Sequence, residues 1–135
     1  MKILVFEDDP VCATVLREIV RPMGDCHVAY DPCDGVELFK KALEDGVPYD
    51  CVFMDIMMPK MDGHQALNEI RKEEAKRDIW GLDSVKVVMV TALGDFDTIK
   101  KSFRGQCDGY LVKPIRKKQV FQILRELEIL DDREP

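Results

Sequence analysis

The stretch CVFMDIMMPKMDG, residues 51–63, decides how this chain folds. An unbroken apolar run, Cys51 to Met54, leads into a single carboxylate, Asp55, and turn-forming residues follow at once. A short continuous apolar run bounded by turn signals is the pattern of a strand covered on both faces. Such a strand ends on an acid only where the fold needs a charge.

Outward from this stretch the same alternation repeats. KILVF (2–6), CHVAY (26–30), CVFM (51–54), VKVVMV (85–90) and GYLV (109–112) read as five strands. Helical periodicities separate them. Val15, Leu16 and Ile19 mark the first helix, with Asp9 as N-cap and Pro10 at its first position. Val36, Phe39 and Leu43 mark the second, closed by Gly46. Ala66, Leu67 and Ile70 mark the third, which starts at Asp62 or Gly63, and Phe96, Ile99 and Phe103 the fourth. The fifth carries Val120, Ile123, Leu124 and Leu127 on one stripe. This order predicts an α/β fold of (βα)5 type, a parallel sheet with helices on both faces and right-handed crossovers.

Ligands of open α/β sheets bind outside the carboxyl ends of the strands. At those ends the sequence puts Glu7, Asp8 and Asp9, then Asp55, then Thr91, then Lys113. Carboxylates that converge need a counter-charge, and oxygen donors without Cys or His favour Mg²⁺. Asp55 has the chemistry of a nucleophile that forms an aspartyl phosphate. Phosphoryl transfer then asks for positioning and charge neutralisation. Mg²⁺ would take one phosphoryl oxygen, Lys113 a second, and the Thr91 hydroxyl with backbone N–H groups a third.

Composition narrows the field. The 135 residues suit one domain, with 46% hydrophobic and 34% charged residues. A net charge of −6 argues against nucleic-acid binding. Five cysteines without a CxxC pair indicate neither a disulfide framework nor a zinc site, so they are expected as reduced thiols. His27 and His64 stand at no metal-ligand spacing with them. No apolar run approaches the roughly 20 residues that span a membrane. MKILVFEDDP is too short for a secretory signal, so the expected location is cytoplasmic, away from membranes.

ILVFEDDP (3–10), DCVFMDIMMPKMDG (50–63), VVMVTA (87–92) and GYLVKP (109–114) together resemble the receiver domain of bacterial two-component response regulators, the CheY-like family. The likeness runs from about Lys2 to Leu130. It implies a flavodoxin-like strand order 2-1-3-4-5, a receiver domain over residues 1–130 and a short tail at 131–135. It implies that Asp55 is the phosphoacceptor. Glu7 and Asp8 would be the acidic pair, with Asp8 on Mg²⁺ directly and Glu7 mainly through water, while Asp9 serves as a cap. Met57 would offer its backbone carbonyl to the metal. Thr91 matches the switch hydroxyl, Tyr110 the switch aromatic and Lys113 the phosphate-binding lysine, followed by a cis bond to Pro114. The implied protein is not an ordinary enzyme. It is a phosphoacceptor that catalyses its own Mg²⁺-dependent phosphorylation and dephosphorylation. A sensor histidine kinase or histidine phosphotransfer protein would be the donor. Phosphorylation would change the face formed by the fourth helix, fifth strand and fifth helix, including Phe96, Lys100, Lys101, Phe103 and Arg104. In the family that face binds a downstream target protein or forms a homodimer.

Two departures stand out. KEEAKRDIWGLDS (72–84) lengthens the chain between Asp55 and Thr91 and holds the single tryptophan, Trp80. It reads as an extended third helix and loop with Trp80 packed against it, or as a partner-contacting surface. Met57 and Leu93, each two residues past a site residue, are apolar and would shield a phosphoryl group from water, which implies slow hydrolysis. Two rivals remain. Haloacid-dehalogenase-like phosphatases need a second Asp where Met57 stands. Receiver-like modules that are never phosphorylated tend to lose acids or the lysine, and this chain keeps both.

Overall fold

The apolar runs become five strands in the computed structural model, which describes residues 1–58, 60–95, 97, 100–101 and 106–130. They are β1 (Lys2–Phe6), β2 (Asp25–Ala29), β3 (Cys51–Asp55), β4 (Lys86–Ala92) and β5 (Gly109–Lys113). All pair in parallel in the order β2-β1-β3-β4-β5, the doubly wound arrangement expected. Chain order reverses between β1 and β3, so the crevice lies outside the ends of those two strands.

β3 explains the opening motif. All five of its residues are buried, and they alternate between the two layers. Val52 and Met54 join Leu4, Phe39, Leu67 and Ile70 on the side of α2 (Pro32–Glu44) and α3 (Gly63–Lys76). Cys51 and Phe53 join Ile3, Val5, Leu16 and Leu124 on the side of α1 (Pro10–Val20) and the C-terminal helix (Lys117–Glu126). Slipping β3 by one residue would exchange the two sets, so the core holds Asp55 at the edge.

The helix starts follow from their caps. Asp9 accepts from the Val11 N–H at 2.9 Å. Asp31 does the same for Cys33 at 2.8 Å. Asp62 and Gln65 form a reciprocal capping box at α3. Gly46, with φ 75°, follows the end of α2.

Several details differ from the sequence expectation. β2 begins one residue earlier and stops before Tyr30, and β3, β4 and β5 each run on to include Asp55, Ala92 and Lys113. Phe121 is buried with Val120 and Leu124 on the C-terminal helix, while Ile123 and Leu127 of the expected stripe pack partly buried against the same core. Trp80 does not pack against the helix: it is 63% exposed, and its Nε1–H donates to Asp78 Oδ1 at 2.7 Å. The chain turns away from α3 through Asp78 (φ 57°) and Gly81 (φ 59°), which carries the indole outward. Of the fourth helix, Asp97, Lys100 and Lys101 are helical, whereas Phe96, Ile99, Phe103 and Arg104 lie outside the described residues, as does the tail 131–135.

Gly35 of α2 lies against the ring of Phe6, the residue before Glu7, and a Cβ added there would fall on that ring. Glycine to alanine inside a helix ordinarily stabilises by up to about 1 kcal/mol. Gly35→Ala is instead expected to destabilise by roughly 1–3 kcal/mol through overpacking, read from the urea midpoint.

Candidate functional site

Glu7 follows β1 directly and its N–H still donates to Ala29 O at 3.0 Å, so the strand ladder holds it in place. Its side chain is buried, as is that of Asp55 at the end of β3, whereas Asp8 is exposed. One carboxylate oxygen from each of Glu7, Asp8 and Asp55 lies within 4.8 Å of the others. Asp9 stays out of this cluster and caps α1, as its position in the sequence implied.

Lys113 comes from β5, two strands from β3, and its side chain reaches past β4. Its Nζ stands 3.0 Å from Glu7 Oε1 and 3.2 Å from Asp55 Oδ2. Burial works against the ammonium, but the hydrogen bond to Glu7 and the charge of Asp55 outweigh it and hold the pKa above that of an ordinary lysine. Burial, and then the neighbouring Asp55, push the Glu7 carboxyl up to about 7, against the pull of Lys113. Lys113 thus pairs with two of the three clustered carboxylates, and Asp8 adds a third negative charge beside them. Negative charge remains in excess on a donor set made only of oxygen, which fits a hard divalent cation. Thr91, buried near the end of β4, donates its hydroxyl to Ala92 O at 3.3 Å. It is the residue after Val90, which pairs with Asp55.

The loop after β3 is fastened at several points. The Met57 N–H donates to Asp55 Oδ1 at 3.1 Å, fixing the plane of the carboxylate. The Gly63 N–H closes the loop on Ile56 O at 3.2 Å. Lys60, at φ 73°, pairs with Asp31 Oδ2 at 2.8 Å. Lys60 first, and then the Cys33 N–H, hold the Asp31 carboxyl below its ordinary range. Sequence reading missed this clamp. The available signal was Asp31-Pro32, the same pairing of cap and proline as Asp9-Pro10. Tyr110 is half-buried, and its hydroxyl donates to Lys100 O at 3.2 Å, tying β5 to the helical segment at Lys100. The Lys113–Pro114 bond is cis.

Comparison with known proteins agrees with this geometry. The response regulator receiver domain family matches residues 3–125. The chain belongs to that family. Chemotaxis protein CheY of Treponema pallidum is 35% identical over 123 residues, covering 90% of this chain and 78% of that protein. The osmosensing histidine kinase SLN1 of Saccharomyces cerevisiae is 36% identical over 129 residues, covering 93% of this chain and 10% of the kinase. The chain likewise spans 12% of a rice protein named Probable histidine kinase 2. A receiver domain of a sensor histidine kinase from Pseudomonas aeruginosa, solved with magnesium in its active-site cleft, superposes with a TM-score of 0.72. It is 28% identical and the match covers 93% of this chain and 95% of that one. The chain is thus a receiver domain of two-component signalling, and the flavodoxin-like fold follows. No helix among the described residues is long and apolar enough to cross a membrane.

The charge balance of this receiver site gives opposite expectations for two substitutions in metal-free buffer. Asp55→Asn removes a carboxylate that faces Glu7 and is expected to stabilise by about 1 kcal/mol. Lys113→Met leaves two buried carboxylates without their cation and is expected to destabilise by roughly 1–3 kcal/mol. Urea unfolding of both variants checks the signs.

Proposed function

We propose that Asp55 accepts a phosphoryl group from a phosphohistidine on a sensor histidine kinase or histidine phosphotransfer protein. The observation that carries this reading is the meeting of Glu7, Asp8 and Asp55 within 4.8 Å, with Lys113 on Asp55 at 3.2 Å. Glu7, Asp8, Asp55 and the Met57 backbone carbonyl would hold Mg²⁺, which when bound supplies positive charge next to the phosphoryl oxygens. The magnesium in the Pseudomonas aeruginosa receiver domain supports this ion.

The protein's own part is positioning and charge. The Met57 N–H and the Lys113 ammonium grip one Asp55 oxygen each, so the carboxylate is oriented before the donor arrives. An oxygen of Asp55 attacks phosphorus, the P–N bond to the donor imidazole breaks, and that bond's electron pair stays on the imidazole. No general base is required, because Asp55 is already a carboxylate. Lys113 and the Thr91 hydroxyl then meet the phosphoryl oxygens, for which Thr91 gives up its bond to Ala92 O. That turn vacates space behind Thr91 for Tyr110, whose bond to Lys100 O would break as it moves inward. The surface around Lys100 and Lys101 would change with it, the face on which a downstream target or a second copy would dock. Phe96, Phe103 and Arg104 of that face lie outside the described residues.

Incubation with a small acyl phosphate and Mg²⁺ is expected to add one phosphoryl mass to the intact chain. No such addition is expected in Asp55→Asn or without a divalent cation. Full labelling of that variant would refute the site.

Met57 is 75% exposed beside Asp55 and offers water no hydrogen-bonding group. The side chain of Leu93 lies outside the described residues. Met57→Asn is expected to speed phosphoryl loss by on the order of tenfold, since an amide can orient the attacking water. Following loss of the added mass after donor removal checks this, and an unchanged rate would count against shielding by Met57.

A further inference from the structure

The amino ends of the strands, opposite Asp55, carry features that phosphoryl chemistry does not use. A groove of about 860 Å³ lies there, open to solvent. Its walls are the turn before β3 (Tyr49, Asp50), the segment after α3 (Ile79, Leu82) and the chain beyond the C-terminal helix (Glu128, Ile129).

The outer lip is the segment 78–84, and its backbone is well defined. The Ile79 N–H donates to Glu74 O at 3.0 Å, and those of Asp83 and Ser84 donate to Trp80 O and Gly81 O at 3.2 and 3.1 Å. Just beyond, the buried Glu74 carboxylate accepts the Val85 N–H at 2.7 Å and pairs with Arg71 at 2.8 Å. The lip is therefore anchored at both ends. From it Leu82 projects 92% exposed and Trp80 63% exposed. Two large apolar side chains held rigidly in water beside a groove are the make-up of a contact site, and tryptophan is the residue type most enriched at binding hot spots.

Charge indicates the occupant. Among the described residues lining the groove, Lys86 is the only lysine or arginine, against Asp50, Glu74, Asp83 and Glu128. Glu74 is matched by Arg71, and Asp50 accepts the Lys2 backbone N–H at 2.7 Å. Asp78, Asp83 and Glu128 enter no ion pair among the described residues. A symmetric contact with a second copy would set these acids against themselves on a chain of net charge −6. We propose that the groove and its Trp80–Leu82 lip bind a basic amphipathic helix of a protein partner. The apolar face of that helix fills the groove, and its lysines or arginines meet Asp78, Asp83 and Glu128. The site is at the far end of the sheet from Asp55, so it is separate from the phosphoryl chemistry.

Trp80 is the only tryptophan and stands between the groove-lining Ile79 and Leu82, so a partner seated against this lip is expected to change its emission. A tryptophan-free peptide of leucine and lysine at helical spacing, titrated into the full chain, is expected to shift that emission to shorter wavelength and to saturate. Leu82→Ser, at a side chain in solvent that the fold does not need, is expected to weaken binding about tenfold or more while leaving acyl phosphate labelling intact. Asp83→Lys is expected to weaken it as well. The absence of a saturable shift, or equal affinity in Leu82→Ser, overturns the proposal. Concentration-dependent dimerisation that Leu82→Ser abolishes also overturns it, because it would give the lip to a second copy.

Discussion

Two buried carboxylates and one part-exposed ammonium, Glu7, Asp55 and Lys113, meet at the carboxyl edge of the sheet, the ammonium 3.0 and 3.2 Å from the two acids. Glu7 is held through Ala29 O, Asp55 by its pairing with Val90, and Lys113 by its pairing with Ala92. Below them β3 is buried along its whole length, so the strands cannot slip to relieve the charge. A proton, a cation or a change in Asp55 itself would relieve the cluster. The raised pKa of Glu7 is the sign of that unsatisfied demand. Like charges held this close are expected to cost stability, which the two-layer core beneath offsets.

The fold was legible because strand and helix periodicities do not overlap in this chain. Continuous apolar runs such as Val87–Val90 and spaced stripes such as Val120 and Leu124 have no common reading. The residues brought together were legible for a related reason: each ends or directly follows a strand, so a correct strand count puts Glu7, Asp8, Asp55, Thr91 and Lys113 at one edge. Contacts that depend on loop conformation were not legible. The Lys60–Asp31 clamp joins residues 29 apart in sequence and relies on a left-handed backbone at a lysine, which no periodicity announces. Of the two readings of the Trp80 segment, the packed one failed for the same reason. A tryptophan after a long helix ordinarily packs back, and only the left-handed turn at Asp78 sends it outward. The residues of the switching face were named from the family pattern, and most lie outside the described residues.

The two ends of the sheet differ in kind. The carboxyl end concentrates charge in a small, partly buried volume where bonds can form and break. The amino end presents apolar side chains beside an open groove, with Asp78, Asp83 and Glu128 in no ion pair among the described residues. The α3–β4 connection, residues 77–85, lies at the amino edge of the sheet, so its exposed Trp80 and Leu82 stand away from Asp55.

The central claim is that the charge cluster makes Asp55 the nucleophile. Reduction with borohydride tests it most directly, because hydride converts an aspartyl phosphate to homoserine with release of phosphate and so marks the residue that carried it. After incubation with a small acyl phosphate and Mg²⁺, peptide mass mapping is expected to find homoserine at position 55 alone. Homoserine at Asp8 or Asp9, or a phosphorylated chain that yields no homoserine, would contradict the account.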